Sequence, residues 1–387
     1  MASEGITRNE YDKYFGEEHE ILRKAIRGLV KDAILPNIEQ WEEEGGFPRE
    51  VYEAAGKLGY MGVHIPEEAG GSGGDIFLGI VLTEELMRSG SAGLVASLGS
   101  YGIALPPIIR KGTPDQIERF VKPTLAGKKI AALAITEPGG GSDVANLSTK
   151  AVRDGDYYVV NGSKTFITSG VNADFIVCAV RTGVEGAHGI SFLIIEKNTP
   201  GFSVGKKLKK MGWWASDTAE LFFGDCRVPA ENLVGKENKG FYIIMENFQM
   251  ERLQLSVMAN MTAQIALEEA TKYAKERKAF GQNISNFQVT RHKLVDMATL
   301  VEASREFTYR IAAKIGAGEN QVKEISMAKN FACMVSDKVT YDAVQIFGGY
   351  GFMRGYLVER LYRDNRILSI GGGTQEIMKE IIAGFII

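Results

Sequence analysis

The sequence predicts an α+β chain in three parts: an N-terminal α-helical domain, a central antiparallel β domain and a C-terminal α domain like a four-helix bundle. Two observations of pattern and one of size predict it. Apolar residues recur at helical spacing from about 15 to 130, change to a period of two from Ala131 to about Gly235, and return to helical spacing from Gly240 onward. At 387 residues the chain also exceeds one typical domain. The expected boundaries are 1–130, 131–235 and 236–387.

In the first part, Ile21, Ile26, Leu29 and Val30 form one stripe that ends near Pro36. Val51, Ala54, Ala55 and Leu58 form another, stopped at Gly59. Glu67 to Gly74 is expected to be a flexible turn, because nothing in it builds a core. Leu82 to Met87 and Leu94 to Leu105 continue the helical pattern, the second halted by Pro106-Pro107. Thr113-Pro114-Asp115-Gln116 is a helix start: Thr113 can cap, proline suits the first position, and Gln116 can complete a capping box.

The second part opens with the stretch around which the chain is organised, Ala131 to Gly170. Ala131 to Ile135 is long enough for a buried strand, and Thr136-Glu137-Pro138 ends it. Gly139, Gly140 and Gly141 let the backbone turn sharply and approach a ligand closely. Leu147 to Val152 and Tyr157 to Val160 alternate around the hairpin turn Asp154-Gly155-Asp156, and Asn161-Gly162 is expected as a second turn before Lys164 to Thr168. The result is a β-meander that offers glycine-loop amides, hydroxyls and one aromatic ring to a flat ligand. A plain hairpin sheet with glycine turns is the alternative. Phe175 to Val180, Ile190 to Ile195 and Leu221 to Phe223 are further strands. Lys206, Lys207, Lys209 and Lys210 read as a solvated loop face, with contact to an anionic ligand tail or a partner as the other option.

In the third part Leu253, Val257, Met261 and Ile265 repeat every fourth residue, and Ala266, Ala270 and Tyr273 extend that face. Leu294, Met297, Val301 and Phe307 mark a second long helix closed by Gly316 to Gly318, and Ile325, Ala328, Phe331 and Val339 a third.

Composition excludes several functions. With 45 basic and 48 acidic residues the net charge is −3, which argues against a nucleic-acid footprint or a polybasic membrane anchor. No apolar run approaches the roughly 20 residues of a membrane span. The acidic N-terminus lacks the apolar core of a signal peptide and the Arg-rich helix of a transit peptide, so a cytoplasmic, bacterial location is expected, or the mitochondrial matrix if a transit peptide was removed. Cys178, Cys226 and Cys333 are far apart in apolar surroundings and read as reduced core thiols. His19, His64, His188 and His292 show no metal-ligand spacing, and no metal site is expected. Gly349-Tyr350-Gly351 begins like a Rossmann fingerprint, but Arg354 takes the third glycine position, and there is no Walker A motif.

Ala134-Ile135-Thr136-Glu137 followed by Gly140-Gly141-Ser142-Asp143 resembles the first signature of the acyl-CoA dehydrogenases. Phe166-Ile167-Thr168 resembles the segment that lies against the flavin ring in that family, and Gln345 to Phe352 with Arg360 and Asp364 resembles the second signature. Gly355 departs from it, where an acidic or amide residue is usual. The similarity covers nearly the whole chain, with an active-site pattern like that of the long-chain and isovaleryl branches. It implies an FAD-dependent oxidoreductase of fatty acid and lipid metabolism that desaturates an acyl-CoA thioester to the trans-2-enoyl-CoA and passes electrons to electron-transfer flavoprotein. In that chemistry a base removes the α-proton while the β-hydrogen leaves as hydride to the flavin. The base is a carboxylate whose pKa an apolar site raises, and backbone N–H groups polarise the thioester carbonyl.

Many family members carry this carboxylate just before the Gly-Thr of the C-terminal segment, where Ile370-Gly371-Gly372-Gly373-Thr374 places Gly372. The long-chain and isovaleryl branches carry it at the start of the first bundle helix, which here reads Met250-Glu251-Arg252-Leu253. Glu251 is therefore the expected base, and a first-turn glutamate favoured by the helix dipole is the alternative. Gly372 is expected to leave free volume for bulky or branched acyl groups, and moving the carboxylate from Glu251 to Gly372 is expected to restore part of the activity.

The resemblance also implies binding roles. Leu133, Thr136, Ser142, Phe166 and Thr168 meet FAD, with Thr136 and Thr168 at the ring and Phe166 against it. Ser142, Arg252, Gly372 and Gly373 meet the substrate. Arg277 and Phe280 reach the FAD of a neighbouring subunit, Gln288, Gln345, Gly348 and Gly349 hold its adenosine end, and Thr374 with Glu376 return to the subunit's own FAD. If Glu251 and Arg277 share one unbroken helix they lie roughly 39 Å apart, which favours cofactors shared in a homodimer or a dimer of dimers, a homotetramer. An acyl-CoA oxidase that hands electrons to oxygen, and a non-catalytic flavin-binding relative, are the rival expectations.

Overall fold

A computed structural model describes residues 13–387, so the expectation about an N-terminal targeting segment falls largely outside the described residues. Helices fill the chain from Glu17 to Leu125, a sheet follows, and helices resume at Gly240. The switch in apolar period thus marks a real change of architecture.

The helix Glu50–Lys57 stops as expected, because Gly59 takes a left-handed φ of 75°. Thr113 Oγ1 accepts the Gln116 N–H at 3.2 Å and the Gln116 amide oxygen accepts the Thr113 N–H at 3.2 Å, closing the anticipated capping box. Two expectations fail here. Leu94 to Leu105 is not one helix but breaks between Leu98 and Tyr101; Pro106 ends the second piece as expected and also begins the next helix, Pro106–Lys111, because a first-turn residue needs no intrahelical N–H. Glu67 to Gly74 is not a loose turn: Ala69 is buried, and the Gly73 carbonyl accepts the His64 N–H at 2.8 Å.

The central strands are β1 (Ala131–Ala134), β2 (Lys150–Asp154), β3 (Tyr157–Thr168), β4 (Phe175–Arg181), β5 (Ile190–Glu196), β6 (Phe202–Lys207), β7 (Thr218–Pro229) and β8 (Leu233–Val234). They order as β6-β7-β3-β2-β4-β5-β8, with β1 set against β4. The sheet is mostly antiparallel; β1 and β2 meet β4 in parallel. Asn161-Gly162 proves to be a bulge rather than a turn. β3 runs straight through it, the register to β7 shifts there, and a Cβ on Gly162 would stand 2.6 Å from Thr149 Oγ1. Lys210 also departs from the solvated face expected of it. Its Nζ donates to the Ser216 carbonyl at 2.5 Å and to Thr218 Oγ1 at 2.8 Å, and burial lowers its pKa to about 8.

The C-terminal part is built on a 37-residue helix, Gly240–Glu276, with helices Gln288–Gly316 and Val322–Phe347 packed on it. Leu253, Val257, Met261, Ile265, Ala266 and Ala270 are all buried, as their spacing requires. Asp364 ties the three parts together: Oδ1 accepts the Trp213 N–H at 2.6 Å from the sheet, and Oδ2 the Ala92 N–H at 3.2 Å from the N-terminal helices. Burial, with Glu42 close by, pushes this carboxyl up to about 7. The three cysteines are free and buried.

Candidate active site

Glu251 lies about three turns inside the long helix. The dipole explanation for it therefore fails, since that effect fades within the first turn. Its carboxylate accepts no hydrogen bond among the described residues, and burial pushes its pKa up to about 7 against the opposing pull of Arg252 and Lys329.

The other predicted position lies directly across from it. A Cβ built on Gly372 would stand 3.6 Å from Glu251 Oε1 and 2.5 Å from Leu255 Cδ1. Two places 121 residues apart in sequence thus address one point in space. The free volume expected at Gly372 is absent, because Leu255, one turn beyond Glu251, fills it. Gly372 also has φ 64° and Gly373 φ 99°, conformations that side chains resist. Arg252 is buried; its Nε donates to the Gly372 carbonyl at 3.3 Å. Thr374 caps the helix Gln375–Ile386, with its Oγ1 accepting the Ile377 N–H at 3.3 Å, and Glu376 stands exposed in that helix's first turn. The N–H groups of Gly372, Gly373 and Thr374 meet no acceptor among the described residues, so a polarising set of donors stands beside a carboxylate poised near neutrality.

The glycine loop after β1 is anchored by an internal ion pair. Lys164 is fully buried in β3 and donates to Glu137 at 2.8 Å and to the Ile135 carbonyl at 3.0 Å. Glu137 also accepts the N–H and hydroxyl of Ser148, each at 2.6 Å, and the Thr149 N–H at 2.9 Å. Burial alone would raise this carboxyl, but Lys164 and those bonds hold it at about 2. The Thr165 N–H bonds the Thr136 carbonyl at 2.9 Å and draws the loop onto β3. Thr165 and Phe166 then bulge out of the β3–β7 ladder, giving Phe166 a φ of 58° and leaving its ring 68% exposed. Leu133, Thr136 and Thr168 are half-buried, while Ser142 is exposed.

At the other end of the long helix, Arg277 places its guanidinium 5.8 Å from the Tyr350 ring. It lines an open groove of about 420 Å³ with Tyr273, Ile346, Gly348, Gly349 and Tyr350. Gln288 and Gln345 are exposed, and Phe280 projects from a short hairpin at φ 50° with 96% of its surface bare. Glu251 and Arg277 do not come together, as the unbroken helix dictates.

These residues fit the FAD that the sequence implies. A Cβ on Gly139, Gly140 or Gly349 would meet no protein atom within 4 Å, and none of the three has a left-handed φ. Nothing within the fold fills the space beside them, which leaves the backbone open to close approach by a flat ligand. An aromatic ring held out on strained backbone suits a flat partner in the same way.

Two features escaped sequence reasoning: the Glu137–Lys164 pair and Lys329. Lys329 belongs to the face of Ile325, Ala328, Ala332 and Cys333, all buried, and its place in that stripe was the available signal.

Residues 16–128, 132–226 and 238–387 match, in turn, the descriptions acyl-CoA dehydrogenase N-terminal domain, middle domain and C-terminal domain. The long-chain specific acyl-CoA dehydrogenase of Mus musculus mitochondria is 41% identical over 96% of this chain and 87% of its own. The caffeyl-CoA reductase–Etf complex subunit CarC of Acetobacterium woodii is 39% identical over 97% of this chain and 99% of its own. A Bacillus anthracis acyl-CoA dehydrogenase crystallised with FAD superposes with a TM-score of 0.91 at 32% identity, covering 97% of this chain and 67% of that one.

Proposed function

The chain belongs to the acyl-CoA dehydrogenase family and is an FAD-binding oxidoreductase; on that premise we propose that Glu251 removes the α-proton of an acyl-CoA thioester, whose desaturation yields the trans-2-enoyl-CoA. The observation that carries this is the Glu251 carboxylate, free of hydrogen bonds among the described residues and 3.6 Å from a Cβ built on Gly372, in a turn whose backbone N–H groups meet no acceptor; burial pushes that carboxyl up to about 7. A base near neutrality is both ionised in useful amount and basic enough to take a proton from carbon. The donors around Gly372 and Gly373 hold the thioester carbonyl and stabilise the charge that builds on its oxygen as the α-proton leaves. Bound FAD supplies the hydride acceptor.

Thr136, Phe166, Thr168 and the glycine loop hold the flavin ring, and Thr374 and Glu376 complete that site. Arg277, Phe280, Gln288, Gln345, Gly348 and Gly349 serve the cofactor of a second copy of the chain, with Arg277 as the cation for its phosphates. The electrons pass to electron-transfer flavoprotein. The name of the Acetobacterium relative, a reductase in an Etf complex, supports that partner and favours a second reading in which the same site works toward reduction of the double bond.

Anaerobic titration with straight, branched and cyclic acyl-CoA thioesters, followed by electron-transfer flavoprotein or air, tests the assignment. Bleaching of the flavin and reoxidation by the flavoprotein is the expected result. Fast reoxidation by air alone makes the protein an oxidase, and an enzyme reduced only by an external donor and reoxidised by enoyl-CoA makes it a reductase. Bleaching by no thioester leaves a flavin-binding scaffold.

A further inference from the structure

Lys329, in the helix Val322–Phe347, has no solvent exposure, and its Nζ donates to the Gly373 carbonyl at 2.6 Å. A buried ammonium is costly, and an apolar side chain would fill the same volume at lower cost if filling were its only purpose. Its neighbours grip the same loop. Asn330 Nδ2 donates to the Gln375 carbonyl at 3.0 Å, and the Cys333 thiol to the Leu368 carbonyl at 3.2 Å. One face of this helix therefore clamps the chain from Leu368 to Gln375.

The clamp bears on the most pliant part of the site. Gly372 and Gly373 are consecutive left-handed glycines and have no stiffness of their own. Their orientation must come from outside, and it comes from two cations: Arg252 holds the Gly372 carbonyl and Lys329 the Gly373 carbonyl. Within a trans peptide the carbonyl and the following N–H point in opposite directions. Holding these two carbonyls therefore turns the N–H groups of Gly373 and Thr374 away from the cations. Around Glu251, Arg252 acts from its own helix and Lys329 from the helix packed against it, while Cys333 and Glu376 act in turn on Lys329.

We propose that Lys329 is a positioning residue for α-proton removal: it fixes the Gly372–Gly373 turn beside Glu251 and holds a cation against that turn from the helix packed on the one that carries Glu251. This rests on Glu251 as the base. The α-proton goes to Glu251, and none is transferred to or from Lys329, whose own pKa burial lowers. Its charge favours the ionised carboxylate, so its loss moves the ionisation of Glu251 to higher pH.

The FAD-loaded protein is compared with Lys329→Met and Lys329→Arg in anaerobic bleaching by an acyl-CoA across pH, and in deuterium exchange at the acyl α-carbon. The methionine variant is expected to slow both roughly ten- to a hundredfold, with little change in half-saturating acyl-CoA, and to shift the acidic limb of the profile upward. The arginine variant, which restores the charge, is expected to return the limb and most of the rate. If the methionine variant does not fold, Lys329→Gln, with a donor but no charge, takes its place with the same expected results. A folded neutral variant whose acidic limb stays where the parent's lies overturns the proposal, as does a uniform slowing that arginine does not rescue. A parent that no thioester bleaches removes the function and this inference together; a bleaching parent with an unmoved limb in the variants removes the inference alone.

Discussion

The two ends of the Gly240–Glu276 helix handle charge in opposite ways. Near one end the chain closes over Glu251 with Arg252, Lys329 and a glycine turn, all from its own sequence. At the other it holds Arg277 and a nearly bare Phe280 out toward solvent beside an open groove. The first end holds its charges within one chain, against a glycine turn that two of its own cations fix. An exposed aromatic ring beside an exposed cation is what the proposal of a cofactor shared with a second copy rests on.

The largest break in this contrast is Glu251→Gln. Glutamine keeps the shape but cannot take a proton, so bleaching by acyl-CoA should fall by roughly a hundred- to ten-thousandfold, while FAD content and thermal stability stay close to the parent. Gly372→Ala tests how tightly the same end is built. Left-handed backbone and contact with Leu255 should together cost about 2–4 kcal/mol in denaturant unfolding. For the same reason, moving the carboxylate from Glu251 to position 372 should not restore activity unless Leu255 is shortened as well, which revises the expectation from sequence. Arg277→Ala addresses the other end. It should weaken FAD retention about tenfold or more in dialysis and loosen the oligomer in light scattering, yet leave the pH profile of the remaining enzyme unmoved.

The smallest effect is the pH dependence itself. Bleaching should rise through about pH 7, where Glu251 ionises. One unit below that midpoint the ionised fraction falls from one half to about one tenth, and the rate by about fivefold. Stability follows with a definite sign. The raised Glu251 carboxyl destabilises the fold as pH rises from its ordinary 4.5 to about 7, since the unfolded chain gives up that proton first. Glu137, held at about 2, contributes stability that disappears as pH falls from 4.5 toward 2. Melting temperatures measured below pH 4.5 thus report the glycine-loop carboxylate, and those between pH 4.5 and about 7 the carboxyl of the long helix.

The buried stripe of the long helix and the Thr113 capping box were legible because each is a local pattern with one physical solution. The convergence of Glu251 and Gly372 was legible only through the resemblance; no spacing rule joins positions 121 residues apart. Asn161-Gly162 misled because the dipeptide that favours a tight turn also suits a bulge, and the long pairing of β3 with β7 decided between them. Lys210 misled, and Lys164 and Lys329 went unread, for a common reason. Lysine in sequence signals solvent, and only the fold reveals the carbonyls and carboxylate that compensate two buried ammonium groups and a half-buried one.

An unbroken helix is also a phase relation. Between Glu251 and Arg277 nothing can absorb a change in length, so deleting one residue would swing the far end by about 100° and draw it in by about 1.5 Å. A surface loop can absorb an inserted residue, but this segment can change only in composition. Its residue count should therefore be among the most strictly inherited quantities in the chain, and grafts that exchange bundle helices between relatives should succeed only when they preserve that count.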